Sequence, residues 1–275
     1  MASNTQKIGF NTITQFSGKI ITVVVSILVI AYLTRYLGAA GYGDYATIFA
    51  YLSIFAVVMD MGLLVTSVRE IGAHPEKQEI LLKNIFGFKL ISGVVVLGVA
   101  IILSRFLPYG EIVKQGIVLG SLAQLAISLN QVPVSYLQAK LILYRATVAD
   151  ILGRVALLAL VWWLIGHGAD IFDLVLATVV ANAIVFGVNI IITPVKSWLI
   201  PSFNFQTLRK ILIQAVPLGV VTILGVIYFR FDVLILAAYQ SNVAVGIYQA
   251  PYKILEVLLS IPSIFMGLVL PILTA

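Results

Sequence analysis

Residues 10–34 read FNTITQFSGKIITVVVSILVIAYLT. Lys19 is the single charge in the stretch, and the part after it is almost unbroken apolar sequence. A helix rises 1.5 Å per residue, so about 20 such residues cross the ~30 Å hydrocarbon core of a bilayer. Residues 1–14 are polar with one apolar pair, and no small-residue cleavage site follows the apolar run. It therefore reads as a retained first helix, not a secretory leader.

The rest of the chain repeats the theme. Apolar runs at 10–34, 42–65, 85–103, 112–137, 147–165, 172–195, 211–239 and 242–271 predict eight spans. Backbone polar groups in lipid must be bonded internally, which leaves helices or closed barrels. Barrel strands alternate polar and apolar residues; these runs do not, so the fold class is all-α, a polytopic transmembrane helix bundle. Composition agrees: 61% of the 275 residues are hydrophobic and 10% are charged, with a mean hydropathy of +1.10. Soluble domains carry roughly 25% charged residues.

The formal net charge is +6. The basic residues are sparse and sit mostly between apolar runs, which speaks for topology signals and acidic head groups, with no nucleic-acid partner. With the N-terminus inside, the inner connections hold Lys7, Arg69, Lys77, Lys83, Lys89, Lys140, Arg145, Lys196, Arg209 and Lys210. The outer ones hold Arg35, Arg105 and Lys114. Ten against three predicts a cytoplasmic N-terminus. The longest inner connection, 67–84, has Pro75 at a plausible helix start and predicts a short amphipathic helix on that face. The chain has no cysteine and two distant histidines, His74 and His167. Disulfides and Cys-ligated metal are excluded, and no metal site or cofactor is expected. A phosphate-binding Gly-x-x-x-x-Gly-Lys loop is absent, so nothing points to an ATP-driven pump.

A short repeat links the first and last hairpins. Gly43-x-Tyr45-Ala46 opens the second span, and Gly246-x-Tyr248-x-Ala250 opens the eighth. Each follows a long apolar helix and a short outer turn. The last hairpin follows the first at an offset of six spans, an even number as a parallel duplication requires, and duplicated transporter halves enclose a site between them. The hairpins are expected to face each other across a cavity.

Three segments carry a family likeness: RYLGAAGYGDYA at 35–46, MDMGLLVTSVREI at 59–71, and RFDVLILAAYQSNVAVGIYQAPYKILEVLLSIPSIFMGLVLP at 230–271. In these the chain resembles the polysaccharide and oligosaccharide flippases of the multidrug/oligosaccharidyl-lipid/polysaccharide exporter superfamily. The resemblance implies two six-helix lobes. Residues 1–200 would form the N-terminal lobe and 201–275 the start of a second, apparently truncated one, with a missing C-terminal half or a second subunit as partner. It implies no enzyme but a transporter of the cytoplasmic membrane. Its cargo would be a lipid-linked oligosaccharide on undecaprenyl pyrophosphate, moved by alternating access for polysaccharide or O-antigen synthesis.

Ionisable groups inside spans cost about 2.5–3.5 kcal/mol each on insertion scales, so they are the first candidates for function. Lys253 and Glu256 lie ~16–21 Å into the eighth span on one helical face. Lys253 and Arg230 are candidate pyrophosphate ligands, and Lys19 a third substrate-binding cation. Asp60, Asp232 and Glu256 are candidates for gating or coupling, with Arg69 or Lys19 as expected partners of Asp60. Arg230 and Asp232, two residues apart, point to different faces. Asp150 and Arg154 are expected to form an i,i+4 structural pair. Trp162, Trp163 and Trp198 are expected in the interfacial aromatic belt. The rival readings are a peptidoglycan-precursor flippase, a cation-coupled drug exporter, a membrane-embedded glycan polymerase or ligase, and a non-transporting fragment. A polymerase or ligase would want a large outer loop, and the longest here is short.

Overall fold

The computed structural model describes residues 4–252 and residue 255. Seven α-helices are complete among them: α1 (Asn4–Asp60), α2 (Leu63–Ala73), α3 (Gln78–Ser104), α4 (Glu111–Ala139), α5 (Tyr144–Gly166), α6 (Ile171–Ile192) and α7 (Phe205–Tyr239). Residues 242–252 begin a further helix. Among the described residues there is no strand, and six helices are long and apolar enough to cross a bilayer.

The first of these accounts for two spans. At 57 residues α1 would be ~86 Å long if straight, nearly three bilayer cores. It folds at Gly38, whose backbone (φ 64, ψ −176) is open in practice to glycine alone. Residues 14–37 run parallel to α5, with Gly18 against Thr147 at one end and Tyr36 hydrogen-bonded to the Ala169 carbonyl (2.9 Å) at the other. Residues 39–60 instead run parallel to α4, with Ile48 on Gly116 and Leu52 on Gly120. The chain has reversed, and Gly38 is the turn between the first two expected spans. Seven of the eight spans thus lie within the described residues; the eighth, 242–271, is described only through its first turns.

Two boundaries differ from expectation. The second span stops at Asp60 and not at 65, because Met61 (φ 42) and Gly62 (φ 75) are left-handed. The chain resumes as α2, which buries Leu63, Thr66, Ser67 and Ile71 along one side. α2 is therefore the amphipathic segment at this end of the bundle. Pro75–Lys77 is only a 3-10 turn that feeds directly into α3, seven residues before the expected start of the third span.

Packing rests on small residues. In lipid no hydrophobic drive pulls helices together, so close approach through Gly, Ala and Ser supplies the contact. α4 buries Gly116, Gly120, Ser121, Ala123, Ser128 and Ser135 on its inward faces. α5 meets α6 where Gly153 faces Val185, a place where a Cβ would overlap the valine. α6 starts with a reciprocal cap: Asp170 accepts from the Asp173 amide and Asp173 from the Asp170 amide, both at 3.0 Å. The connection to α7 is sewn to α3 by Ser202 N to Lys83 O (3.3 Å) and Asn204 N to Asn84 Oδ1 (2.5 Å). Trp198, expected in the aromatic belt, is fully buried there against the Phe86 ring. Trp162 and Trp163 are exposed, as a belt requires.

Candidate functional site

Arm 14–37 of α1 presents Gln15, Lys19 and Thr22 on one face, at the i, i+4, i+7 spacing of a helix. α4 offers Asn130, Val134 and Gln138, α5 offers Thr147, Asp150 and Arg154, and α6 offers Asn182. These side chains line one cavity of about 470 Å³ between the four helices. It lies toward the end of the bundle that carries the N-terminus and extends to Leu157 at mid-helix.

The walls are polar in a bundle that is otherwise apolar. The Asn130 carbonyl accepts from Asn189 Nδ2 at 2.9 Å, which orients its amide. Asn182 donates to the Thr178 carbonyl (2.8 Å), so its own carbonyl oxygen remains an acceptor. Thr22 and Thr147 return their hydroxyl protons to Lys19 O (2.9 Å) and Leu143 O (3.3 Å), one turn back. Lys19, Asp150 and Arg154 are exposed within this space. Lys19 and Arg154 line the same cavity as Asp150. Yet the ion pairs among the described residues include none of the three. The expected structural pair of Asp150 with Arg154 is thus not closed; both are cavity groups. The walls carry two cations, one anion and several amides.

The other candidates fall elsewhere. Asp60 pairs with neither Arg69 nor Lys19. Its partner is Lys89 of α3 at 2.9 Å, and the Lys89 ammonium also donates to Gln131 Oε1 of α4 at 2.6 Å. Lys89, read from sequence as an inner-surface charge, is 1% exposed, and the same Asp60 oxygen accepts the Leu64 amide across the helix break (3.3 Å). Asp232 accepts from the Tyr248 hydroxyl and so joins α7 to the following helix. Arg230 is half-buried on α7 and is not part of the cavity wall. Lys253 and Glu256 lie outside the described residues. Of the two expected substrate cations among the described residues, Lys19 lines the cavity and Arg230 does not. Arg154 and the amides were missed as site residues, although polar residues within apolar runs were the available signal.

The two repeat hairpins meet directly at the end of the bundle opposite the N-terminus. A Cβ on Gly43 would overlap the Asn242 carbonyl, and one on Gly246 would overlap the Ala39 carbonyl. Each glycine thus rests on the residue four positions before the other. Asn242 Nδ2 donates to Asp44 Oδ1 at 2.6 Å beside this joint. At this level the hairpins touch, and no cavity separates them.

Six helices long and apolar enough to cross a bilayer, packed as one bundle among the described residues, define a multi-pass membrane protein. A family pattern described as polysaccharide biosynthesis protein matches residues 8–275, and the chain belongs to that family. No curated protein matches it in sequence. Three solved structures share its fold. One is an inward-facing multidrug resistance MATE family transporter of the MOP superfamily, with TM-score 0.64 and 14% identity over 88% of this chain and 61% of that one. Another is a MOP superfamily transporter from Pyrococcus furiosus, with TM-score 0.59 and 16% identity over 80% and 52%. The third is the eukaryotic MATE transporter AtDTX14, with TM-score 0.62 and 15% identity over 90% and 62%. The chain spans between about half and three-fifths of these relatives' lengths.

Proposed function

We propose that this chain forms the N-terminal part of a flippase for a lipid-linked oligosaccharide, carried on undecaprenyl pyrophosphate, in the cytoplasmic membrane. The observation that carries the reading is the cavity wall, with Lys19 and Arg154 set among Gln15, Asn130, Gln138 and Asn182. An anionic, hydrated head group needs cations and hydrogen-bonding neighbours to leave water. Arg154 offers a planar fork for phosphate oxygens and Lys19 a point charge. The amides can replace water around sugar hydroxyls, while the polyprenyl tail stays in lipid. No covalent bond changes in such a cycle, which is transport by rocking of one helix group against another. Arg230 and Lys253 are the proposed contribution of the second half, with Asp60, Asp232 and Glu256 in gating or coupling.

Pocket polarity is an informative discriminator in this fold: for the Pyrococcus furiosus relative, a reversed polarity of the binding pocket is what suggests a different function. Asp150 is the observation that favours the rival, a cation-coupled exporter. Translocation of lipid-linked sugar by the complete transporter, in a strain depleted of its own flippase, separates the two. Lys19→Met and Arg154→Gln should each lower translocation while membrane insertion is kept, and Arg230→Gln should do the same. If translocation stays at the parental level in the Lys19→Met, Arg154→Gln protein while Asp150→Asn abolishes cation-driven export, the flippase reading is wrong.

A further inference from the structure

A second hollow lies between α3 and α7. It measures about 630 Å³, within the ~300–1,000 Å³ range of small-molecule sites. Phe88 of α3 forms one wall, and Leu208, Leu212, Val216 and Pro217 of α7 form the other. Arg209 is the one charged residue in its lining. The groove follows α7, so the cation sits near the start of the helix and the apolar walls extend ~12 Å beyond it. A charge at the end nearer the membrane surface and hydrocarbon walls toward the interior fit an amphiphile with an anionic head and one acyl chain.

The segment before α7 is fixed to α3 by the Ser202 and Asn204 hydrogen bonds, and Asn204 caps α7 through the Thr207 amide at 3.0 Å. The nearby Lys83 is already neutralised by Glu79 at 2.8 Å. Arg209 and Lys210 are exposed, and neither takes part in an ion pair among the described residues. The groove ends at Pro217, beside the tightest crossing on this side of the bundle. There a Cβ on Gly219 would lie 2.7 Å from the Met61 carbonyl, and one on Gly62 2.6 Å from the Ala215 carbonyl.

We infer that the α3–α7 groove binds one anionic phospholipid, its phosphate held by Arg209 with Lys210 adjacent and an acyl chain laid along Leu212, Val216 and Pro217. Basic pockets between helices at a membrane surface recognise acidic lipids by this charge logic.

The test is lipid retention by native mass spectrometry. The delipidated chain would be titrated with phosphatidylglycerol or phosphatidylcholine of matched acyl chains. Phosphatidylglycerol should bind about tenfold more tightly. Arg209→Gln should remove that preference. Val216→Trp, which fills the groove, should lower retention of both lipids, and Lys77→Gln, an exposed cation at the same end, should change neither. Thermal unfolding in detergent checks that each variant is folded. Equal binding of the two lipids by the parent chain overturns the assignment. So does a preference that survives Arg209→Gln, unchanged retention in Val216→Trp, or an equal loss in Lys77→Gln.

Discussion

Gly43 and Gly246 press on each other's preceding turn, Gly43 on the Asn242 carbonyl and Gly246 on the Ala39 carbonyl. Each contact falls four residues before the opposite glycine, so the two hairpins meet as equivalents. The joint lies at the end of the bundle opposite the one toward which the polar cavity lies. Its closeness depends on the absence of a Cβ on either side.

Gly43→Val should therefore part the outer ends. The chain has no native cysteine, so Asp44→Cys and Asn242→Cys can report on the joint through disulfide cross-linking. Their parent side chains are within hydrogen-bond distance at 2.6 Å. Cross-linking should be efficient with glycine at 43 and several-fold lower with valine. An unchanged yield would mean that the contact is incidental to closure.

Lys89 and Asp60 should behave as one unit. Taking two charges out of water costs several kcal/mol per ion, and their mutual attraction with Gln131 offsets it. Lys89→Met alone strands the Asp60 carboxylate and should destabilise by about 3–5 kcal/mol. Lys89→Met combined with Asp60→Leu should recover most of that loss. Thermal unfolding of both variants in detergent gives the comparison, and strict additivity of the single substitutions would count against the pairing.

The cavity should be reachable by water from the N-terminal end. Cysteines replacing Thr147 or Asn182 should react with a membrane-impermeant thiol reagent applied to inside-out vesicles. A cysteine replacing Val148, on the outward side of α5, should react far more slowly because it faces lipid. Protection of position 182 by added lipid-linked oligosaccharide would tie the cavity to its proposed cargo. Equal reaction at 148 and 182 would remove the basis for an aqueous cavity.

Topology follows from the basic residues. Lys77→Cys and Lys140→Cys should be labelled only from the cytoplasmic side, and Asp173→Cys, at the opposite end of the bundle, only from outside. Labelling of position 77 in intact cells would reverse the orientation.

The sequence by itself determined that this is a helical membrane protein. Eight runs such as 10–34 are too long and too apolar for anything but lipid, and each carries that information locally. Hydropathy also gave the fold-level likeness, because span length and order are one-dimensional properties. Helix breaks were less visible: Asp60 ends the second span inside an apolar run because Met61 and Gly62 turn left-handed against α7, a contact about 150 residues away in the chain. The charged residues show the limit most clearly. Lys19 and Asp60 stand out in sequence because each interrupts apolar residues, but nothing local says which helix each one faces. Lys89 looked like a surface charge and is the most deeply buried cation among the described residues. Arg154 looked like half of an i,i+4 pair and faces the cavity instead. Pairing energies depend on distances across helices, and those distances are fixed only when Gly18, Gly116 and Gly153 let the helices pack. Where a charge goes was therefore decided by tertiary structure; that it lies in a membrane was decided by sequence alone.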